Sequence, residues 1–368
     1  MTETALAVGA LVDDLAELVA CESPSEDLDA IARCADVVAE VAQRRIGLHP
    51  ERIDVGGRVH LRWQIGRPQV VLLGHMDTVW PIGTLARWPF AIEGDRMTGP
   101  GVFDMKAGIV QMFAALQSLS DVDGVTILVT SDEEIGSASA QALIEETCHD
   151  ARAVLVLEPS ADGALKVARK GVGMFRLDIV GRAAHAGLEP HNGINASVEA
   201  AHAILAAAAL ARPEVGTTVT PTVVSSGTTV NTVPAASSVA VDVRTQTVTE
   251  MQRVEQALAS LSPQLPGASL KLVTRSLRQP LERAMSDGLF GRAQRLATQL
   301  GFDSLDGVAV GGGSDGNITA GLGVETLDGL GAVGANAHAE GEWASMAAMP
   351  PRASLVAALI RELLEDPR

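Results

Sequence analysis

The stretch VVLLGHMDTV, Val70 to Val79, decides the reading of this chain. Its first four residues form a continuous apolar run, the kind that fills a strand buried on both faces. The run ends at Gly74, and His75 and Asp77 follow at once. On an extended chain, positions i and i+2 face the same way. One ring nitrogen of His75 can then bind a metal ion while Asp77 holds the other nitrogen and fixes the tautomer. The plain alternative is a loop histidine beside a capping aspartate. The carboxyl end of a buried strand is where ligands bind in α/β sheets, which favours the first reading.

The same pattern recurs along the chain. VTILVT, Val125 to Thr130, runs into Asp132, Glu133 and Glu134, and VLVL, Val154 to Leu157, runs into Glu158. Asp104 stands in GPGVFDMKAG and His338 in ANAHAEGEW. Each has an ordinary reading as well. Asp104 could cap a helix, the three acids could favour a helix start through the macrodipole, and His338 could be a surface residue. Glu133 and Glu134 diverge too far to ligate one ion together, but one can bind metal while the other acts as general base. A carboxylate directly after an apolar strand, as at Glu158, is costly unless paired or metal-bound. Taken together, two histidines and three carboxylates are a ligand set for a pair of divalent ions, and such a pair makes a hydrolytic site. Amide cleavage is the expected reaction. Competing signatures are missing: there is no G-x-x-x-x-G-K-[ST], no G-x-S-x-G and no H-E-x-x-H. GGGSDG, Gly311 to Gly316, reads as a strand-to-helix turn that permits close packing beside the site.

The chain has 368 residues, 47% hydrophobic and 20% charged, which suits a globular protein of two domains. Its net charge of -17 argues against non-specific nucleic-acid binding and against an anionic membrane surface. An anionic substrate is still compatible, because bound metals reverse the field inside a cleft. The acidic start, MTETALAVGALVDDLAELVACE, reads as an amphipathic helix and not as a signal peptide. The apolar run Ala200–Ala211 is too short to span a bilayer. Cys21, Cys34 and Cys148 form no C-x-x-C, so reduced thiols in a cytoplasmic protein are expected, with a Cys21–Cys34 disulfide left open.

Periodicity predicts helices over 5–20 and 26–44, strands over 59–65, 70–73, 125–130 and 154–157, and helices over 105–119 and 138–146. The alternation implies an α/β layer with helices on both faces. Near residue 165 the pattern changes: after a strand from 165, the order strand, helix, strand, strand, helix, strand follows, with strands from 174, 217, 237 and 269 and helices from 195 and 248; this suits a small α+β sandwich. From about 281, helices and buried strands return. The simplest reading is a catalytic α/β domain over 1–167 and 278–368, interrupted by an inserted α+β domain over 168–277.

The chain resembles the M20 family of dinuclear zinc peptidases and deacylases, most closely the glutamate carboxypeptidase (carboxypeptidase G2-like) branch. The carrying motifs are GHMDTVWP, GPGVFDMKAG, TSDEEIGS, LEPS, GRAAHAG, VNTVPA, GGGSDG and ANAHAEGEW. The resemblance implies a zinc-peptidase-like catalytic domain with a mixed sheet flanked by helices, and an inserted lid that forms a homodimer edge to edge. It implies two Zn2+ per chain, with Co2+ or Mn2+ as substitutes. Asp104 would bridge the ions, His75 and Glu158 would complete one, and Glu134 and His338 the other. Asp77 would orient His75, and Glu133 would be the general base. His185 of the lid would help hold the oxyanion, in several relatives from the neighbouring subunit. Asn231 and Arg244 would contact substrate, Arg244 through a bidentate pair with a carboxylate; a structural ion pair is the other reading of Arg244. The chain departs from relatives at Ala184, where a serine is common, and at Met105. A cis peptide is implied between Asp104 and Met105. The expected substrate is a small peptide or N-acyl amino acid with a free carboxylate. An N-acyl-amino-acid deacylase or desuccinylase is the alternative, and a non-catalytic binding relative the third.

Overall fold

The apolar runs pair with one another. In the computed structural model, which describes residues 7–366, six strands form one mixed sheet in the order Glu51–Val55, Arg58–Gln64, Val125–Thr130, Val70–His75, Ala153–Val156, Glu325–Leu327. The last four are mutually parallel, and the first two form an antiparallel hairpin on one edge. Every residue of Val70–His75, Val125–Thr130 and Ala153–Val156 is buried. Side chains alternate between two cores, as a pleated strand requires. Val70 and Leu72 meet the helices Val8–Ala20, Leu28–Ile46, Ala107–Gln117 and Met349–Glu365, while Val71 and Leu73 meet Gln141–Cys148 and Gly316–Gly321. This is the α/β class with helices on both faces of a mixed sheet.

The expected elements form with shifted ends. The first predicted helix spans Val8–Ala20, and positions 5 and 6 of that expectation lie outside the described residues. The helix expected from 138 begins at Gln141, after a turn. The helix expected from Met105 begins at Ala107, because Val102–Lys106 forms a widened turn with non-helical φ/ψ at Asp104 (-114°, 95°) and Met105 (-130°, 33°). Several short strands had no expectation. Ala91–Glu93, Arg96–Thr98, Gly334–Ala335 and Trp343–Ser345 form a second, four-stranded sheet. Cys21, Cys34 and Cys148 are free thiols. Among the described residues no helix is long and apolar enough to cross a membrane.

Two compact units divide the chain: one takes the chain up to Ala168, Arg283–Val310 and the part from Ser314, and the other takes Arg169–Glu282 with Gly311–Gly313. The second unit is an antiparallel sheet in the order Thr218–Ser226, Ala236–Thr245, Gly171–Val180, Ser269–Arg278. Two helices, Ala196–Ala208 and Val248–Ala259, cover it. Ala196, Ala200, Ala203 and Ala207 of one and Met251, Val254 and Leu258 of the other pack on Phe175, Leu177, Ile179 and Val241. The alanine stripe lets the first helix lie close to the sheet. Asn195 and Thr247 cap the two helices through their side chains.

Candidate active site

Register brings the acids together. His75 pairs with Thr130 and Leu73 with Val156, so three adjacent parallel strands end at one level. His75, the Asp132–Glu134 segment and Glu158 emerge there. The other two residues arrive from the small sheet. Asp104 follows Arg96–Thr98 after the Gly-Pro-Gly segment, and His338 lies in the turn joining Gly334–Ala335 to Trp343–Ser345.

Two ligand groups result, His75/Asp104/Glu158 and Asp104/Glu134/His338, with the ligand atoms in each within 4.8 Å of one another. Asp104 belongs to both. Its Oδ1 lies 3.3 Å from His75 Nε2 and its Oδ2 lies 3.4 Å from His338 Nε2. Glu158 Oε1 is 3.5 Å from His75 Nε2, and Glu134 Oε2 is 3.0 Å from His338 Nε2. His75 Nε2 and Asp104 Oδ1 are buried with no hydrogen-bond partner. Such atoms are rare inside proteins. Their inward-facing imidazole and carboxylate donors, without thiolate, suit zinc, cobalt or manganese. The capping reading of Asp104 fails, because its side chain bonds no helix N–H. The Asp104–Met105 peptide is cis, as the resemblance implied.

Asp77 is fully buried and faces the other side of His75, with Oδ1 3.5 Å from Nδ1. His75 Nδ1 also lies 3.0 Å from the Asp77 carbonyl oxygen. The Asp77 carboxylate accepts from Ser25 Oγ at 2.7 Å and from the N–H groups of Glu133 and Glu134 at 3.3 and 3.2 Å. One buried acid therefore orients the imidazole and ties down the two-glutamate turn. Glu133 is half-buried beside Glu134.

The protons report how crowded the charge is. Burial opposes a charge on His75, yet the nearby carboxylates of Asp104, Asp77 and Glu158 hold its pKa well above the usual value. Asp104 is buried, which would raise its carboxyl, but His338 and His75 hold it well below the usual range. Hydrogen bonds to Asp104 and Glu134 push His338 up to about 10. Burial raises Glu134. A proton and a cation compete for the same imidazole nitrogens, so cation binding is coupled to proton release.

Two glycines set the last ligand. A Cβ on Gly108 or on Gly331 would lie 2.1 Å from the carbonyl oxygen of Leu157. Helix and loop thus grip the backbone just before Glu158, and Gly331 N–H donates to the Glu158 carbonyl at 2.9 Å.

The sequence profile described as Peptidase family M20/M25/M40 matches residues 71–362. The chain belongs to that family. Among its M20 relatives is carboxypeptidase G2 of a Pseudomonas species, 30% identical over 96% of this chain and 89% of the relative. Succinyl-diaminopimelate desuccinylase 2 of Shewanella loihica is 34% identical over 48% of this chain and 52% of the relative. The fold matches the crystal structure of aminopeptidase PepT from Bacillus cereus with a TM-score of 0.77, at 24% identity, covering 98% of this chain and all of that one. Like its family, this M20 chain is a metal-dependent hydrolase.

The remaining expected residues of the M20 chain lie in the second unit. His185 is exposed, and its Nδ1 accepts from the N–H groups of Gly187 and Leu188 at 3.1 and 3.2 Å. Asn231 is exposed, and its carbonyl accepts from Ala186 N–H at 2.9 Å, which joins the two motifs. Arg244 is half-buried on Ala236–Thr245 and is held bidentately by Asp242 of the same strand, at 2.9 and 3.0 Å. Three residues of the first unit escaped sequence reasoning. Lys166 Nζ lies 3.6 Å from Glu158 Oε2. Asp315, in the GGGSDG turn, accepts from Thr130 Oγ1 at 3.0 Å and from Ser137 Oγ. Glu342 is buried against the Asp104 turn. An acid inside each quoted motif was the only signal available for the last two.

Proposed function

We propose that the chain cleaves an amide bond to a carboxylate-bearing amino acid, as a glutamate carboxypeptidase does, with two zinc ions per chain. The observation that carries this reading is the pair of ligand groups sharing Asp104, with Glu133 beside them. His75, Asp104 and Glu158 would hold one ion and Asp104, Glu134 and His338 the other. Two such ions, when bound, polarise a carbonyl and acidify a water. Glu133 takes the proton from the attacking water as its oxygen bonds to the carbonyl carbon. The carbon–nitrogen bond then breaks, and Glu133 delivers that proton to the departing amine. Asp77 keeps His75 in the ligating tautomer.

His185, Asn231 and Arg244 are assigned to substrate. For Arg244 this requires a substrate carboxylate to compete with Asp242. Similarity to carboxypeptidase G2 over nearly the whole chain favours the peptidase reading. The desuccinylase relative keeps N-acyl-amino-acid hydrolysis as the second reading. We also propose a cytoplasmic homodimer joined through the second unit. Its edge strand Thr218–Ser226 exposes Val223 (67%) and Val224 (50%), and the adjacent helix exposes Leu205 (71%). Unprotected edges of this kind are usually covered.

The test is hydrolysis of a panel of peptides ending in glutamate, N-acyl glutamates and N-succinyl amino acids, before and after chelation. Release of glutamate that chelation removes and zinc restores supports the first reading. Turnover confined to N-succinyl substrates selects the second, and no turnover with metal bound rejects both.

A further inference from the structure

Glu342 is fully buried, where a carboxylate is costly unless well supplied with donors. It accepts four hydrogen bonds. Oε1 takes Phe103 N–H at 2.8 Å and Asp104 N–H at 2.9 Å; Oε2 takes the Trp80 indole N–H at 2.8 Å and Gly101 N–H at 3.1 Å. The three backbone donors belong to the interrupted turn around Asp104. That turn leaves regular helical geometry, so its N–H groups need an acceptor from elsewhere in the chain.

The same residue closes the turn that carries His338. Glu342 N–H donates to the Ala339 carbonyl and Ala339 N–H to the Asn336 carbonyl, each at 3.1 Å. The Asn336 side-chain amide donates to Gly341 O at 3.2 Å. Asn336 and His338 both take left-handed φ, 65° and 63°, conformations that a non-glycine residue holds only when its surroundings enforce them. Trp343, the next residue, pairs with both Ala335 and Thr98, so one small sheet delivers both loops.

We propose that Glu342 is a positioning residue that sets the Asp104–His338 separation and thereby the second cation site. The proposal rests on the two-cation reading above. His75 and Glu158 are held by the main sheet, whereas Asp104 and His338 both lean on Glu342. Its loss displaces two of the three ligands in the Asp104/Glu134/His338 group and one in the other.

The test is calorimetric titration of Zn2+ into metal-free wild-type protein and into Glu342→Gln, with folding checked by circular dichroism. Glutamine keeps the length, but its amide nitrogen faces N–H donors in either orientation, so two of the four bonds are lost. The expected result is two cations in wild type, with one of them weakened about 10- to 100-fold in the variant, the range for groups that support ligands. The hydrolysis lost by the variant should return as added zinc refills that site. Trp80→Phe, which removes one donor and keeps an aromatic ring in its place, should weaken the same cation less; it also decides the matter should Glu342→Gln fail to fold. Unchanged binding in the variants, or equal weakening of both cations, overturns the positioning role alone. A wild type that takes no cation overturns the two-cation reading itself.

Discussion

Two groups of carboxylates in the first unit live in opposite surroundings. At the end of the last helix, Glu362 Oε1 is met by Arg292 at 2.9 Å and Arg295 at 2.7 Å, and Asp366 Oδ2 by Arg292 and Arg152 at 2.6 Å each. These acids keep 24% and 34% of their side-chain surface. At the strand ends, Asp77, Asp104, Glu134 and Glu158 keep 0%, 13%, 6% and 8% and gather around two imidazoles. There, atoms of His75 and Asp104 are left without partners. The first group matches charge with charge near water and serves the fold. The second buries acids and imidazoles that do not satisfy one another, an arrangement that a bound cation would stabilise. Local violations of good packing chemistry concentrate at functional sites, and this contrast locates one.

The sharpest way to break the comparison is chemical. Glu133→Gln should lower kcat by about 10²- to 10⁴-fold, the worth of a general base. Cation content by elemental analysis should stay as in wild type. A near-normal rate would remove Glu133 from the mechanism. Next, Asp104→Asn should abolish tight binding of both cations. Unfolded by urea at neutral pH in its metal-free form, it should be less stable than metal-free wild type, because a carboxylate that His338 and His75 hold well below the usual range contributes stability that its neutral replacement loses. Tight binding of both cations in Asp104→Asn would place Asp104 with the structural acids.

Gly108→Ala pushes a methyl group onto the Leu157 carbonyl, and overpacking of this kind costs about 1–3 kcal/mol. Denaturant unfolding with and without zinc should show that loss, together with weaker cation binding as Glu158 shifts. The smallest effect belongs to the helix end. Glu362→Gln should cost no more than about 1 kcal/mol and leave hydrolysis unchanged, since paired acids near the surface contribute little. Hydrogen bonds from Arg295 and Arg292 hold the Glu362 carboxyl below its usual 4.5. A depressed folded-state pKa gives stability that is complete above the unfolded value and lost as pH falls through the folded one. The difference between wild type and Glu362→Gln should therefore shrink as pH drops below about 4.5.

The three central strands of the main sheet were legible because they are buried on both faces and read as apolar runs; Val125–Thr130 formed over the expected residues, whereas the edge strands Glu51–Val55 and Glu325–Leu327, partly exposed, had no expectation. His75, Glu133, Glu134 and Glu158 could be singled out for the same reason, since each stands within four residues of the end of such a run. Arg96–Thr98 and Trp343–Ser345 were not legible, being three residues long with no alternation to detect. With that small sheet unseen, nothing in sequence could show that Glu342 reaches Asp104 across 238 positions. Asp104 itself was ambiguous, because an aspartate before a helix is usually a cap, and only the interrupted turn separates the two readings.

The most direct test of the account is zinc titration of the metal-free protein at neutral pH, in two buffers of different ionisation enthalpy, for wild type and Asp104→Asn. The account predicts about two cations per chain in wild type, with proton release as His338, otherwise held up to about 10, gives up its proton, and no tight binding in the variant. Binding that survives Asp104→Asn intact, or no binding in wild type, would contradict the claim that these buried acids form a cation centre.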